Sequence, residues 1–155
     1  MKKGLYILVP VLFFVIISYL LPNEKVTTET VSVPMPVDAV TRVMTNQQEW
    51  AKWFPGTKKN DSTYLYYEAP ITIHKVLMNG FKATMINKDM NISLDFSFIA
   101  GKNARTDFTL NTVMKLSFNP ILRFKQFLSL NAAEDDSKRL LYQIQDYFSD
   151  VLKVY

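Results

Sequence analysis

Between Met90 and Phe98, apolar and polar residues alternate without a break. Met90, Ile92, Leu94, Phe96 and Phe98 fall on one side, and Asn91, Ser93, Asp95 and Ser97 on the other. No helix produces that period, so the segment predicts a strand with one buried and one wet face. The alternation returns over 105–118, where Phe108, Leu110, Met114, Leu116 and Phe118 share a face with Thr112. Residues 63–69, 71–78 and 81–87 are also strand-like, with Pro70 between the first two. Asn79-Gly80 is a type I′ hairpin signal. Lys88-Asp89 and the stretch from Gly101 to Asn103 predict further turns, and 57–62 is a polar loop. This gives a run of about five antiparallel strands.

Other periods frame that run. Over 25–36, Val31 and Val33 alternate with Thr30 and Ser32 in a strand that Pro34 and Pro36 stop. Val37, Val40, Val43 and Met44 lie on one helical face of 37–46, with Pro36 suited to the first turn. Residues 47–54 predict a second short helix with Trp50, Trp53 and Phe54 on its apolar side, ended by Pro55-Gly56. Near the C-terminus, Ile121, Phe124, Phe127 and Leu128 form one face of a helix over 121–130. The acidic residues of 131–138 suit the start of a longer helix. Its stripe is Leu140, Leu141, Ile144, Tyr147, Phe148, Val151 and Tyr155. Strands in a run followed by a helix predict an α+β fold. The long helix is expected to bury its stripe against 90–98 and 105–118.

The first residues obey no such period. Lys2 and Lys3 precede a charge-free run from Leu5 to Leu21, closed by Pro22, Asn23, Glu24 and Lys25. As a helix the run is about 26 Å long, close to the ~30 Å of a hydrocarbon core. No A-x-A-like cleavage site follows it, so an uncleaved anchor fits better than a signal peptide. The lysines should stay in the cytoplasm, leaving the rest of the chain outside it. The expectation is a single-pass membrane protein, in a bacterial inner membrane, with residues 1–23 as anchor and an extracytoplasmic domain over 24–155.

Composition narrows the chemistry. Hydrophobic residues make up 48% of the 155 positions, enough for a core. The net charge of +4 is spread thinly, without the basic stripe that nucleic-acid binding requires. There is no cysteine, so thiol catalysis, disulfides and Cys-ligated metals are excluded. A single histidine, His74, leaves no His-rich metal site. No cofactor is called for.

Pro34, Val37, Val40, Trp50, Trp53 and Pro55 sit in an order of strand, valine-striped helix and Trp-x-x-Trp-Phe-Pro turn. Over residues 25–155 the layout resembles the START-like helix-grip superfamily, also called SRPBCC or polyketide cyclase/dehydrase-like. The resemblance implies a curved antiparallel sheet around a long C-terminal helix, with an internal cavity for an apolar or amphipathic ligand. The family's activities range over lipid carriage, hormone binding and aromatic ring closure, and fold alone does not choose among them.

A ligand-binding set then follows: Trp50, Trp53 and Phe54 as the lid, Ile92, Leu94, Phe96, Leu110 and Met114 as wall, and His74. The tryptophans either close a cavity mouth or plug the core as large aromatics do. His74 alternates with Thr72 and Val76 and is expected to face inward, either as a general base in a cyclase or hydrolase or as a hydrogen-bonded core residue. The leading expectation is a membrane-anchored module that binds a hydrophobic or lipid-like molecule without catalysis. The alternatives are that enzyme and a structural or interaction protein with a filled pocket.

Overall fold

The computed structural model of the chain describes residues 2–87 and 89–151. The expected turn residue Lys88 and the stripe residue Tyr155 lie outside them. A helix α1 (Lys2–Leu20) leads into strand β1 (Glu24–Val33) and helix α2 (Val37–Thr45). A 3₁₀ turn (Gln47–Glu49) and the short helix α3 (Trp50–Trp53) follow. Then come β2 (Thr57–Lys58), β3 (Thr63–Tyr66), β4 (Ala69–Leu77), β5 (Gly80–Asn87), β6 (Met90–Ala100) and β7 (Thr106–Lys115), and last α4 (Pro120–Val151).

The strands form one antiparallel sheet of seven in the order β1-β7-β6-β5-β4-β3-β2. Each strand from β2 to β7 pairs with its neighbour in sequence, and β1 closes on β7. The strand expected over 25–36 is β1 and joins the same sheet beside β7, while Thr57–Lys58, expected as part of a polar loop, pairs with β3. The alternation of β6 and β7 is realised as predicted through Leu116, whereas Phe118, expected on the same face, lies beyond β7 and is exposed. Ile92, Leu94, Phe96, Phe98, Phe108, Leu110 and Met114 are all at most 1% exposed. They meet Leu140, Leu141, Ile144 and Phe148 of α4 and Val40 and Met44 of α2 in one core. This is the α+β helix-grip arrangement.

Three local expectations fail for identifiable reasons. The β4–β5 hairpin turns on Met78 and Asn79, with Leu77 paired to Gly80. Gly80 serves a close approach: a Cβ there would lie 1.9 Å from the Phe96 carbonyl oxygen. Left-handed two-residue turns occur instead at Tyr67-Glu68, at φ 44° and 70°, between the paired Tyr66 and Ala69, and at Asn103-Ala104, both at φ 56°. Second, 120–151 is one helix, because Ala132, Ala133 and Glu134 are good helix formers and no Gly or Pro interrupts them.

Third, the start of α4 is turned around. Ile121 and Leu128 are 72% and 69% exposed, while Arg123 and Gln126 are buried. Open backbone groups cause this. Gln126 accepts from the Ser117 amide at 2.6 Å and donates to the Asp89 carbonyl at 2.7 Å. Arg123 donates to the Leu21 carbonyl at 2.6 Å and to Asn23 Oδ1 at 2.7 Å. Farther along, Lys138 bridges Glu29 of β1 and Glu134 of α4. Hydrogen bonds from Lys25 and Lys138 hold the Glu134 carboxyl below its ordinary range.

Helix α1 packs its Phe14 ring 5.3 Å from Phe124 of α4. Among the described residues no helix is long and apolar enough to cross a membrane.

Candidate functional site

The tryptophan turn is built from Asn46 outward. Its side-chain oxygen accepts from the Gln48 amide and its carbonyl from the Glu49 amide, which starts the 3₁₀ turn. The Phe54 amide closes α3 on the Trp50 carbonyl at 2.8 Å. The Trp50 indole donates to the Met44 carbonyl at 2.8 Å, satisfying an open group at the end of α2. The Trp53 indole nitrogen is buried without a partner.

Both tryptophans and Phe54 are at most 3% exposed. Trp50 lies 5.2 Å from Trp53 and 4.9 Å from Phe81, which stacks on Phe96 at 4.3 Å. Trp53 reaches Phe148 of α4 at 6.0 Å. The turn is thus a wedge of rings between sheet and helix. Ile92, Leu94, Phe96, Leu110 and Met114 stand on the inner sheet face behind it. The structure therefore brings eight of the nine expected residues into one core.

His74 is the ninth, and it is not there. A bulge falls between Ile73 and Lys75, leaving His74 unpaired. The bulge breaks the alternation and turns the side chain outward. His74 is exposed, with its Nε2 2.8 Å from Thr84 Oγ1 on the outer face. Tyr64 and Tyr66 are buried on the inner face. The sheet separates the expected base from these tyrosine hydroxyls. The shallow cavity around His74 holds the ion pair of Lys82 and Asp95 at 2.6 Å.

A mouth of about 330 Å³ opens beside the wedge, lined by Pro55, Gly56, Leu65, Tyr66, Tyr67 and Gln143 with Thr57. Three elements make it. The chain leaving α3 supplies Pro55 and Gly56, the β3–β4 hairpin supplies the tyrosines, and α4 supplies Gln143. Gly56 lets the chain run close to β3, since a Cβ would lie 2.7 Å from the Leu65 carbonyl oxygen. Tyr67 and Glu68 hold left-handed backbone without glycine, a local strain of ~1 kcal/mol each.

The polar groups of this mouth are underused. The Tyr66 hydroxyl is buried with no protein partner, and so is Gln143 Oε1. Gln143 Nε2 donates to the Tyr67 hydroxyl at a long 3.4 Å. Burial, with Tyr67 and Asp136 adding to it, pushes the Tyr66 phenol up to about 12 despite Arg139 nearby. The phenol is therefore a neutral donor at ordinary pH. Sequence periodicity gave no signal for this pair, because Tyr66 and Gln143 meet only through the docking of α4 on the hairpin.

A smaller cavity of about 90 Å³ lies between β5, β6 and α4, near Asp89 and Asp136. Its side chains are already engaged. Lys125 pairs with Asp89, and Asn87 donates to Asp136 at 2.8 Å. Among the described residues no group of three His, Asp or Glu is placed to hold a metal ion.

No protein-family model and no curated protein matches the sequence. Solved structures match it in fold. Norcoclaurine synthase from Thalictrum flavum, solved with dopamine and hydroxybenzaldehyde, aligns at a TM-score of 0.61 and 10% identity, over 85% of this chain and 88% of that one. The Zhui aromatase/cyclase from Streptomyces sp. R1128 aligns at 0.52 and 12% identity, covering 84% and 94%. A START superfamily protein from Mycobacterium smegmatis aligns at 0.51 and 10% identity, covering 83% and 97%. The shared feature is the START-like helix-grip fold.

Proposed function

We propose that this helix-grip domain is a membrane-attached binding module. It takes an amphipathic, lipid-like molecule at the mouth formed by the Pro55-Gly56 turn, the β3–β4 hairpin and α4. The observation that carries the reading is the pair of buried, unpartnered polar atoms, Tyr66 Oη and Gln143 Oε1, beside an open cavity. Leaving such groups unpaired costs about 1–3 kcal/mol each, and a ligand's polar head removes the cost. Gln143 Oε1 accepts and the neutral Tyr66 phenol donates, so a hydroxyl- or amine-bearing head satisfies both. The apolar body of the ligand would lie toward Trp53 and Phe54. About 330 Å³ is at the small end of ligand pockets. One acyl chain or ring system suits it better than a whole phospholipid.

Attachment rests on α1. Its described apolar residues are exposed on most of its surface, and Lys2 and Lys3 stand at its N-terminal end. By the distribution of positive charge the domain stands on the extracytoplasmic side. A reporter fused after Tyr155 tests this, and activity of a cytoplasm-only reporter there would reverse the orientation. The placement of His74 lends nothing to the cyclase or hydrolase reading.

Native mass spectrometry of the full chain in detergent, with titration of a fluorescent monoacylglycerol, tests the binding reading. A co-purified mass or saturable binding that weakens in Tyr66→Phe and Gln143→Leu supports it. No added mass and no saturable binding would favour the other reading that the packing suggests, a module whose interior is filled by Trp50, Phe81 and Phe96.

A further inference from the structure

We propose that the junction of α1 and α4 is a membrane seat, in which the first turns of α4 enter the headgroup and acyl boundary of the bilayer together with α1. The inference rests on the membrane attachment read above and adds a fixed orientation to it. An anchor on a loose linker would leave the domain free to tumble. This one is latched. Ser18 Oγ donates to the Pro120 carbonyl at 2.7 Å, and Tyr19 Oη to the Phe118 carbonyl at 3.1 Å. Phe14 packs on Phe124, and Arg123 holds the carbonyl of Leu21 at the exit of α1.

Around the latch lies an apolar surface shared by both helices. On α1, Val9, Leu12, Phe13, Ile16 and Leu20 are each at least half exposed. At 100° per residue these five positions span an arc of about 100°, and the exposed Val11, Ile17 and Tyr19 widen it to about two-thirds of the circumference, leaving the side of Phe14 and Ser18 that faces α4. α4 and the residues before it continue the surface with Phe118, Ile121 and Leu128, 84%, 72% and 69% exposed. A protein groove covers one stripe of a helix, whereas a bilayer covers every side, so the geometry favours lipid as the occupant. The dimensions agree. From Phe14 to Leu20 is about 9 Å of helix, within the ~5–10 Å to which interfacial elements sink. Tyr19 is the residue type found at such borders. The outer sheet face carries Thr28, Thr30, Ser93, Asp95 and Thr109, with Val26, Ile86 and Ile99 exposed at separate places among them.

The absence of cysteine makes the test direct. The full chain carrying Ile121→Cys or Leu128→Cys is labelled with an environment-sensitive fluorophore, and Met78→Cys on the β4–β5 turn serves as the control. Each is reconstituted with vesicles of phosphatidylcholine and phosphatidylglycerol, with or without a nitroxide on the acyl chain. The chains should float with the vesicles, and the labels at 121 and 128 should be quenched severalfold more than the label at 78. If the chains float and all three labels are quenched alike, the seat is wrong while attachment stands. If the wild-type chain does not float, attachment fails and the seat with it.

Discussion

The guanidinium of Arg123 reaches the carbonyl oxygen of Leu21, 102 positions away in the chain, at 2.6 Å. It also donates to Asn23 Oδ1 at 2.7 Å, and Nη1 lies 3.5 Å from the Ser117 carbonyl oxygen. These acceptors are neutral, so the cation acts as a cap on the C-terminal end of α1, where the helix dipole favours positive charge. Arg123→Met should cost about 2–4 kcal/mol, because it leaves buried carbonyls without donors. Arg123→Lys should recover only part of this, since an ammonium lacks the planar fork that serves two acceptors at once. Urea midpoints of the detergent-solubilised full chain measure both. Equal stability of all three proteins would show that α1 is not held by this residue.

The two tryptophans should respond differently to the same substitution. Trp50 donates to Met44 and touches Trp53, Phe54, Tyr64 and Phe81. Trp50→Phe loses the bond and leaves a void, for a cost of about 2–3 kcal/mol. Trp53→Phe also loses volume, but it removes a buried N–H that has no partner, so it should cost at least ~1 kcal/mol less. Denaturation midpoints in the reverse order would refute this division of roles.

Gly80→Ala tests the hairpin. The new methyl would lie 1.9 Å from the Phe96 carbonyl oxygen, backbone that cannot rotate away. Separating β5 from β6 there should cost on the order of 3 kcal/mol, far beyond the small effect of Gly→Ala in an unstrained strand. Circular dichroism during thermal unfolding reads the loss. A melting temperature unchanged from wild type would mean that the sheet accommodates a side chain at position 80.

What the sequence made legible follows from how local the governing physics is. The faces of β6 and β7 were readable because every second residue from Met90 to Phe98 and from Phe108 to Met114 obeys one burial rule. The bulge at His74 breaks that rule through one added residue, and nothing in Thr72–Val76 announces it. The start of α4 misled for another reason. Ile121 and Leu128 look like a core face, but tertiary demand from open carbonyls drew Arg123 and Gln126 inward. The expected lid and wall residues were found together because aromatic and alternating positions are conspicuous. The mouth was not, since Tyr66 and Gln143 are brought together by docking and matter through bonds they do not make.

That last pair gives a test by pH and substitution together. The Tyr66 phenol sits at about 12 in the folded chain and at its ordinary value near 10 when unfolded. Below pH ~10 both states hold the proton, so folding stability does not depend on this group. Between about 10 and 12 the unfolded chain releases its proton first, and stability falls as pH rises. Above about 12 both states are ionised and the loss is complete. Tyr66→Phe carries no such proton, so its urea midpoint should decline less steeply over that window than wild type. At pH 7–8 the same variant should be equal in stability or up to ~1 kcal/mol more stable, because an unpaired buried hydroxyl has been removed. Its affinity for a hydroxyl-bearing amphipath should nevertheless drop roughly tenfold, the worth of one hydrogen bond. A hydroxyl that merely supported the fold would give the opposite pattern, with stability lost at neutral pH and binding affected only in proportion to unfolding.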